Sequence, residues 1–432
     1  MRGGYVWRSS ADLAKREGEG KVELLTVWVQ PPGTPFVGEA LVDVFEWTGD
    51  EVYRDAARET AACLIAGQLR SGGWDASIEL DPARRRRYAY RVDGAGSSRQ
   101  RNNTSLDDDK TQSALRMLMR YDRASGFADR EVHEAALFAL ESLAGAQFPN
   151  GAWPHVYTGP PKPEDFPLRR ASFYASGVEH TRIKEYWTLY TLNDNLMPDV
   201  IDTLLLAWRV YGDDRWLDAV KKAGDFLILA QMPEPQPGWA QQYDFEMRPA
   251  WARRFEPAAI TGGESQQVMA TLMDLCELTG ERKYLEPLSR ALAYYRRSLL
   301  ADGRLARFYE LGSNEPLYFT KDYELTHSDA DMPTHYGFKV SSKLDALQAR
   351  YDALATKDWS RPKPEPVLAK PRAPDASEVR RVIAALDERG AWVDEGRMRY
   401  FGDGDDTRRV IDPRTFARNI RTLAQWIATR EE

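Results

Sequence analysis

Apolar residues recur at three- and four-residue spacing in four stretches, roughly 36–76, 111–155, 198–242 and 264–307, as in Ile201, Leu204, Leu205 and Trp208. That period lines one face of a helix with apolar side chains and leaves the other face polar. A Gly-led turn breaks each stretch once: Gly49-Asp50 with Tyr53, Gly126-Phe127 with Val132, Gly212-Asp213 with Trp216, and Gly280-Glu281 with Tyr284. Each stretch then closes on a second glycine: Gly73-Trp74, Gly151-Ala152-Trp153, Gly238-Trp239 and Gly303-Arg304-Leu305. From turn to closing glycine the distances are 24, 25, 26 and 23 residues. One amphipathic helix pair cannot bury both its faces, so copies must pack side by side. The pattern predicts an all-α fold: repeated helix hairpins curving into a solenoid or a closed (α/α) toroid, with long loops and a few short strands. The loops gather at one end, where function is expected.

The remaining chain reads as additions to that unit. Residues 1–35 form an irregular lead-in ending in Pro31-Pro32-Gly33-Thr34-Pro35, too rich in proline for helix. The repeat domain is expected over 36–345, and a proline-rich linker over 346–374, with Pro362, Pro364, Pro366, Pro371 and Pro374. A helical extension is expected over 375–432, where Gly390-Ala391-Trp392 weakly echoes the repeat loop. Loops at 77–110, 156–197 and 243–263 are longer than compact domains use unless they carry function.

Composition adds limits. Of the 432 residues, 43% are hydrophobic, with 13 Trp and 20 Tyr, enough for a large core and also suited to stacking on sugar rings. Two cysteines, Cys63 and Cys276, fall in apolar helical patterns and read as small core residues. No run reaches the length of a membrane span, and Met1-Arg2-Gly3-Gly4 does not open a signal peptide. A net charge of −7 argues against nucleic-acid binding. Against that background, Ala83 to Asn103 carries seven arginines and the single Asp93, either a local polyanion contact or a solvated loop face.

Three charged stretches lie outside the helices. Leu106-Asp107-Asp108-Asp109-Lys110-Thr111 precedes the second unit, and Leu192-Asn193-Asp194-Asn195 precedes the third. Helix capping accounts for one acid in each. Three aspartates in a row exceed that need and suit a hard cation such as Ca²⁺. A ring brings the starts of successive units to one face. Ala252-Arg253-Arg254-Phe255-Glu256-Pro257 precedes the fourth unit, and Ala306-Arg307-Phe308-Tyr309-Glu310 follows it. With Lys321 these arginines suit sugar carboxylates, and no Gly-rich phosphate loop is present.

In order and approximate spacing, Gly72-Gly73-Trp74, Leu106-Asp107 to Thr111, Gly151-Ala152-Trp153-Pro154, Leu192-Asn193-Asp194-Asn195-Leu196-Met197, Ala252-Arg253 to Glu256 and Ala306-Arg307-Phe308-Tyr309 resemble the pectate lyases of polysaccharide lyase family 10, over roughly residues 40–325. The resemblance implies an (α/α) toroid that cleaves polygalacturonate by anti β-elimination with Ca²⁺, acting on an acidic polysaccharide, secreted or periplasmic, and monomeric. It places Asp107 and Asp194 on the calcium and Arg253 as the base that takes the C5 proton. Arg307 and Lys321 are expected to bind substrate carboxylates, Asn193 and Tyr309 to contact substrate, and Trp74 and Trp153 to line the groove. A proton next to a carboxylate is weakly acidic, so metal and cationic side chains must neutralise the charge that develops. An arginine base needs a depressed pKa, since guanidinium normally stays protonated.

The chain departs from the family pattern at several points. Asp108-Asp109-Lys110 stands where Asn-Gly-Ala is common, and Asp75-Ala76 where a lysine follows Gly-Gly-Trp. The arginine-rich loop, the segment Thr326 to Tyr336 with His327 and His335, and the C-terminal tail are additions. Another uronan is therefore a candidate substrate, with His335 or Tyr336 as further site residues. Two rivals fit the same repeat: a glycoside hydrolase with paired carboxylates, and an inactive uronan-binding relative.

Overall fold

Gly49, Gly126, Gly212 and Gly280 all turn left-handed, with φ of 70°, 66°, 70° and 72°. Only glycine adopts that conformation freely, which is why each hairpin turns on one. At Gly49, Gly212 and Gly280 the amide donates back to the carbonyl of Phe45, Trp208 and Cys276, closing the last helical turn. Asp50, Asp129 and Asp213 then cap the following helices by accepting from Val52, Val132 and Arg215 amides.

The computed structural model describes residues 3–162, 166–175, 177, 180–357 and 371–430. Its helices are α1 (Thr34–Thr48), α2 (Glu51–Ala66), the short α3 (Pro82–Arg85), α4 (Lys110–Ala124), α5 (Arg130–Gly145), α6 (Leu196–Tyr211), α7 (Asp214–Leu229), α8 (Gly263–Thr279), α9 (Leu288–Arg297), α10 (Leu344–Thr356), α11 (Ala376–Ala384) and α12 (Pro413–Ala428). The first helices of the pairs pack in succession, α1 on α4, α4 on α6 and α6 on α8, with α10 next against α8. The other end of the row closes with α12 on α1. Helices α2, α5, α7 and α9 stand outside them, and α11 backs α12. The protein is an α/α toroid, as the repeat predicts. One continuous apolar core runs around it, from Val27 to Ala424.

Each closing loop is pinned by its aromatic residue. The indole N–H of Trp74 donates to Leu64 O, that of Trp153 to Leu143 O and that of Trp239 to Leu227 O, each at 2.8 Å. Trp392 repeats the contact with Val382 O. The ring thus plugs the C-terminal end of the outer helix and adds a donor to a carbonyl of its last turns.

Short antiparallel strand pairs stitch the loops together at the end where the inner helices start. Residues 26–28 pair with 77–79, 104–105 with 156–157, 190–191 with 242–243, and 305–306 with 339–340. A four-stranded sheet in the order 325–326, 316–319, 308–310, 259–261 rises beside them over a small second core of Phe308, Leu317, Phe319 and Phe338.

Two boundaries differ from expectation. The sequence predicts a proline-rich linker over 346–374, but 346–356 belongs to α10, where Leu347 and Leu354 are buried; residues 358–370 with Pro362, Pro364 and Pro366 lie outside the described residues. The C-terminal segment is not appended to the ring. It packs into its first unit, through α12 on α1 and through strand 409–411 paired with strand 8–10 of the lead-in.

Candidate active site

The lead-ins to α4 and α6 share an unusual backbone. Asp108 and Asp109 have φ of 47° and 60°, and Asp194 and Asn195 have 53° and 57°. Two consecutive left-handed residues are costly for any side chain except glycine, and Asp and Asn tolerate them best. The bend turns the acids out of the helix start and toward the ring mouth. By backbone position Asp108 matches Asp194, and Asp107 matches Asn193.

Asp107 and Asp194 nevertheless face the same group. His155 Nε2 lies 3.8 Å from Asp107 Oδ1 and 3.7 Å from Asp194 Oδ2. Arg253 reaches both carboxylates, with Nη2 3.7 Å from Asp107 Oδ1 and Nη1 3.3 Å from Asp194 Oδ2. Lys110 Nζ holds the other Asp107 oxygen at 2.9 Å. Behind Arg253 sits the buried Glu256, whose Oε1 accepts from Arg253 Nη1 at 3.2 Å and from Asn193 Nδ2 at 3.1 Å, with Tyr336 Oη donating at 3.4 Å.

This cluster separates its charges. Burial pushes the Asp194 carboxyl upward, but the neighbouring His155 ring and the Arg253 charge outweigh it and hold Asp194 below the usual carboxylate range. Burial works against the Arg253 charge too, and there Glu256 and then Asp194 more than compensate, so its pKa is raised. The structure therefore gives Arg253 the opposite of the depressed pKa expected for a base: its carboxylate neighbours keep it a cation. Asp108 turns aside to accept from Gln30 Nε2 at 2.9 Å. Burial, then Asp107 and Asp194, raise its carboxyl to about 6.

One oxygen from each aspartate and one ring nitrogen of His155 lie within 4.8 Å of one another. Asp107 Oδ1 and His155 Nε2 are buried without a hydrogen-bond partner among the described residues. Two hard oxygen donors and an imidazole are a fitting donor set for a divalent cation. Such an ion would share its carboxylates with the Arg253 guanidinium.

Beside Asp194 an open depression of about 290 Å³ is lined by Asn195, Gly263, Glu264, Gln267, Arg307 and Lys343. Arg307 Nη1 donates to Glu264 Oε1 at 3.0 Å, and its guanidinium stacks 4.6 Å from the Tyr336 ring centroid. Gln241 Nε2 ties the same two groups, donating to Glu264 at 2.8 Å and to Tyr336 Oη at 3.1 Å.

Of the residues expected from sequence, Asp107, Asp194, Asn193 and Arg253 come together, and Arg307 stands at the edge of the same site. Four do not join them. Trp74 and Trp153 are fully buried, their N–H groups spent on helix carbonyls, so neither lines a groove. Tyr309 is buried as well, its hydroxyl donating to Ser298 O at 2.6 Å and accepting from the Ala306 amide. Lys321 sits at an exposed hairpin tip, paired with Asp331 at 2.8 Å. His327 lies away on the outer sheet, its Nδ1 3.0 Å from Pro316 O. His335 packs against Phe255. Tyr336, from the same segment, does reach the site.

His155 was missed, although the repeat marks it. It stands two residues after Trp153, as Gln241 does after Trp239 and Arg307 after Leu305. Their carbonyls accept equivalent amides: Leu106 N to His155 O, Leu192 N to Gln241 O, and Gly262 N to Arg307 O. That register aims all three side chains at the mouth.

A family model described as pectic acid lyase matches residues 83–305. No curated protein sequence matches the chain. Among solved structures, a family 10 polysaccharide lyase from Cellvibrio cellulosa is similar, at 18% identity over 74% of this chain and 96% of that one, with a TM-score of 0.50. A mutant of a family 10 polysaccharide lyase from the same organism, in complex with trigalacturonic acid, gives 18% identity, 74% and 98% coverage, and 0.49. A cellobiose 2-epimerase from Spirochaeta thermophila matches at 14% identity over 100% of this chain and 92% of that one, with a TM-score of 0.45.

Proposed function

The chain belongs to the pectic acid lyase family, and from that premise we propose that it cleaves polygalacturonate or a related uronan by calcium-assisted anti β-elimination, outside the cytoplasm. The observation that carries this reading is the meeting of Asp107, Asp194 and Arg253 around His155, from three separate loops.

Asp107 and Asp194 are the residues to hold the ion, with His155 Nε2 facing the same space. When bound, the ion would supply positive charge beside a substrate carboxylate and offset the carboxylates that keep Arg253 protonated. In this reading Arg253 takes the C5 proton once that offset has let its guanidinium give up a proton to solvent. The C4–O4 bond then breaks, C4 and C5 join by a double bond, and the leaving O4 gains a proton from solvent. Arg307 presents its remaining N–H groups to a second carboxylate, fixed in orientation by Glu264 and Tyr336. Lys343, an exposed cation on the same depression, takes the part expected of Lys321. Asn193 acts by holding Glu256, and through it Arg253, in place.

Counting new reducing ends against new C4–C5 double bonds in digested polygalacturonate tests the reading. Equal numbers support a lyase. Reducing ends alone mean a hydrolase, and binding with neither product means an inactive relative.

A further inference from the structure

The arginine-rich loop lies outside the cluster just described, and its seven arginines divide into two groups. Four are built into the fold. Arg84 pairs with Glu79 at 3.1 Å, and Arg85 with Asp93 at 2.8 Å while lying 4.3 Å from the Tyr90 ring centroid. Arg91 covers Phe138 at 4.9 Å. Arg101 pairs with Asp75 at 3.6 Å and stacks 5.6 Å from Tyr88. These contacts use the nearby acids: Asp75, Glu79 and Asp93 each face an arginine, and Asp81 caps α3.

Arg86, Arg87 and Arg99 are left exposed, with no ion pair among the described residues. Hydrogen bonds hold the backbone segments that carry them together. Arg101 N donates to Arg87 O and Ala89 N to Arg101 O, both at 2.8 Å, so Tyr88 lies opposite Arg101 and the segment 87–89 runs parallel to 100–102, with 86 beside 99. Gln100 Nε2 donates to Arg86 O at 3.0 Å, closing the other edge. Like charges brought together on a braced loop repel one another, and an anion relieves that cost. The patch stands on a protein of net charge −7, so it is a local feature and not part of a general basic surface.

Its place in the fold points to the ligand. Arg101 bonds Asp75, the residue after Trp74, and the chain from Arg101 runs through strand 104–105, paired beside His155, straight into Asp107. Asp107 follows Arg101 by six positions, a span of at most about 20 Å. We propose that Arg86, Arg87 and Arg99 form a distal binding site for the carboxylates of an acidic polysaccharide chain, on the same end of the ring as the Asp107–Asp194 cluster. This rests on the uronan reading above. A uronan carries a carboxylate on every sugar, and guanidinium binds carboxylate through paired N–H groups. In this proposal a polymer engages both sites and gains from the second contact, whereas a trisaccharide occupies the cluster alone.

The test is the triple variant Arg86→Ala, Arg87→Ala, Arg99→Ala, whose folding is checked by an unchanged melting temperature. On polygalacturonate at low salt its KM should rise about tenfold with kcat unchanged. The increase should shrink as salt screens the contact, and kinetics on trigalacturonate should match the parent. Unchanged KM on the polymer, or an equal loss on both substrates, overturns the site. Binding of polygalacturonate, measured by calorimetry with Arg253→Ala and with Arg253→Ala plus the triple change, separates this proposal from the lyase reading. If the parent releases no product but the triple change still weakens polymer binding, the lyase reading falls and the site stands. Tighter binding of duplex DNA than of polygalacturonate overturns the class of ligand.

Discussion

Arg253 Nη1 lies 3.3 Å from Asp194 Oδ2, across 59 residues of sequence. The contact joins the loop before α8 to the lead-in of α6, and the same guanidinium reaches on to Asp107. It makes the aspartates and the arginine one electrostatic unit, in which changing any member alters the others.

Calcium binding should follow that unit. Asp194→Asn removes a charged oxygen donor, and no heat of calcium binding should remain in a titration. His155→Ala keeps both carboxylates and should weaken binding by roughly 10- to 100-fold. Wild-type affinity in Asp194→Asn would place the ion elsewhere.

Trp153 should behave as a structural residue. Trp153→Ala empties a fully buried site and removes the indole hydrogen bond to Leu143 O, at a cost of about 3–5 kcal/mol in denaturant unfolding. KM of the folded protein should not change. A selective rise in KM with stability intact would return the indole to the substrate groove.

Asp199 on α6 sets a pH dependence of stability. Burial, and then Asp109, raise its carboxyl to about 8, with Arg116 opposing. Unfolded, it ionises near about 3.9. Between those values the folded state holds a proton that the unfolded state has released, so this group's contribution is complete in acid and is lost as pH rises to about 8. Asp199→Asn mimics the neutral form. Its stability relative to the parent should therefore improve from pH 5 to pH 9 in urea unfolding. A constant difference across that range would contradict the assignment.

The C-terminal helices should be indispensable. A chain ending at residue 370 loses α12 from α1, the Arg421 bond to Asp43 (Nε to Oδ2, 2.6 Å) and the partner of strand 8–10. Its melting temperature should fall by at least about 10 °C, if it folds. A change of only a few degrees would show the tail to be an appendage.

The repeat was legible because its signals are local. A left-handed glycine ends each inner helix of a hairpin, and an aromatic residue closes the loop, so spacing alone exposes four units. The fifth, around Trp392, is visible only as an echo because α11 is short and the connection before it is rich in proline. Aromatic residues in loops misled: Trp74 and Trp153 look ligand-facing in sequence, but their N–H groups answer carbonyls ten residues upstream. Tyr309 is spent in the same way. Lys321 fails for a different reason, since the hairpin of 316–319 and 325–326 carries it to an exposed tip. His155 was readable in principle from its offset after Trp153, yet an isolated histidine carries no pattern until the register shared with Gln241 and Arg307 is known. The Asp107–Asp194 pair departs from repeat symmetry, since Asp108 is the residue that matches Asp194 in the shared left-handed bend, and no spacing argument shows that.

The most direct measurement is the ultraviolet absorbance of the C4–C5 double bond during incubation with polygalacturonate or a related uronan. The account predicts a steady rise with calcium, an arrest on adding a chelator, recovery on restoring calcium, and a loss of roughly 100- to 1000-fold or more in Arg253→Ala and Asp194→Asn. No rise with any uronate polymer, or an undiminished rise in Asp194→Asn, would contradict it.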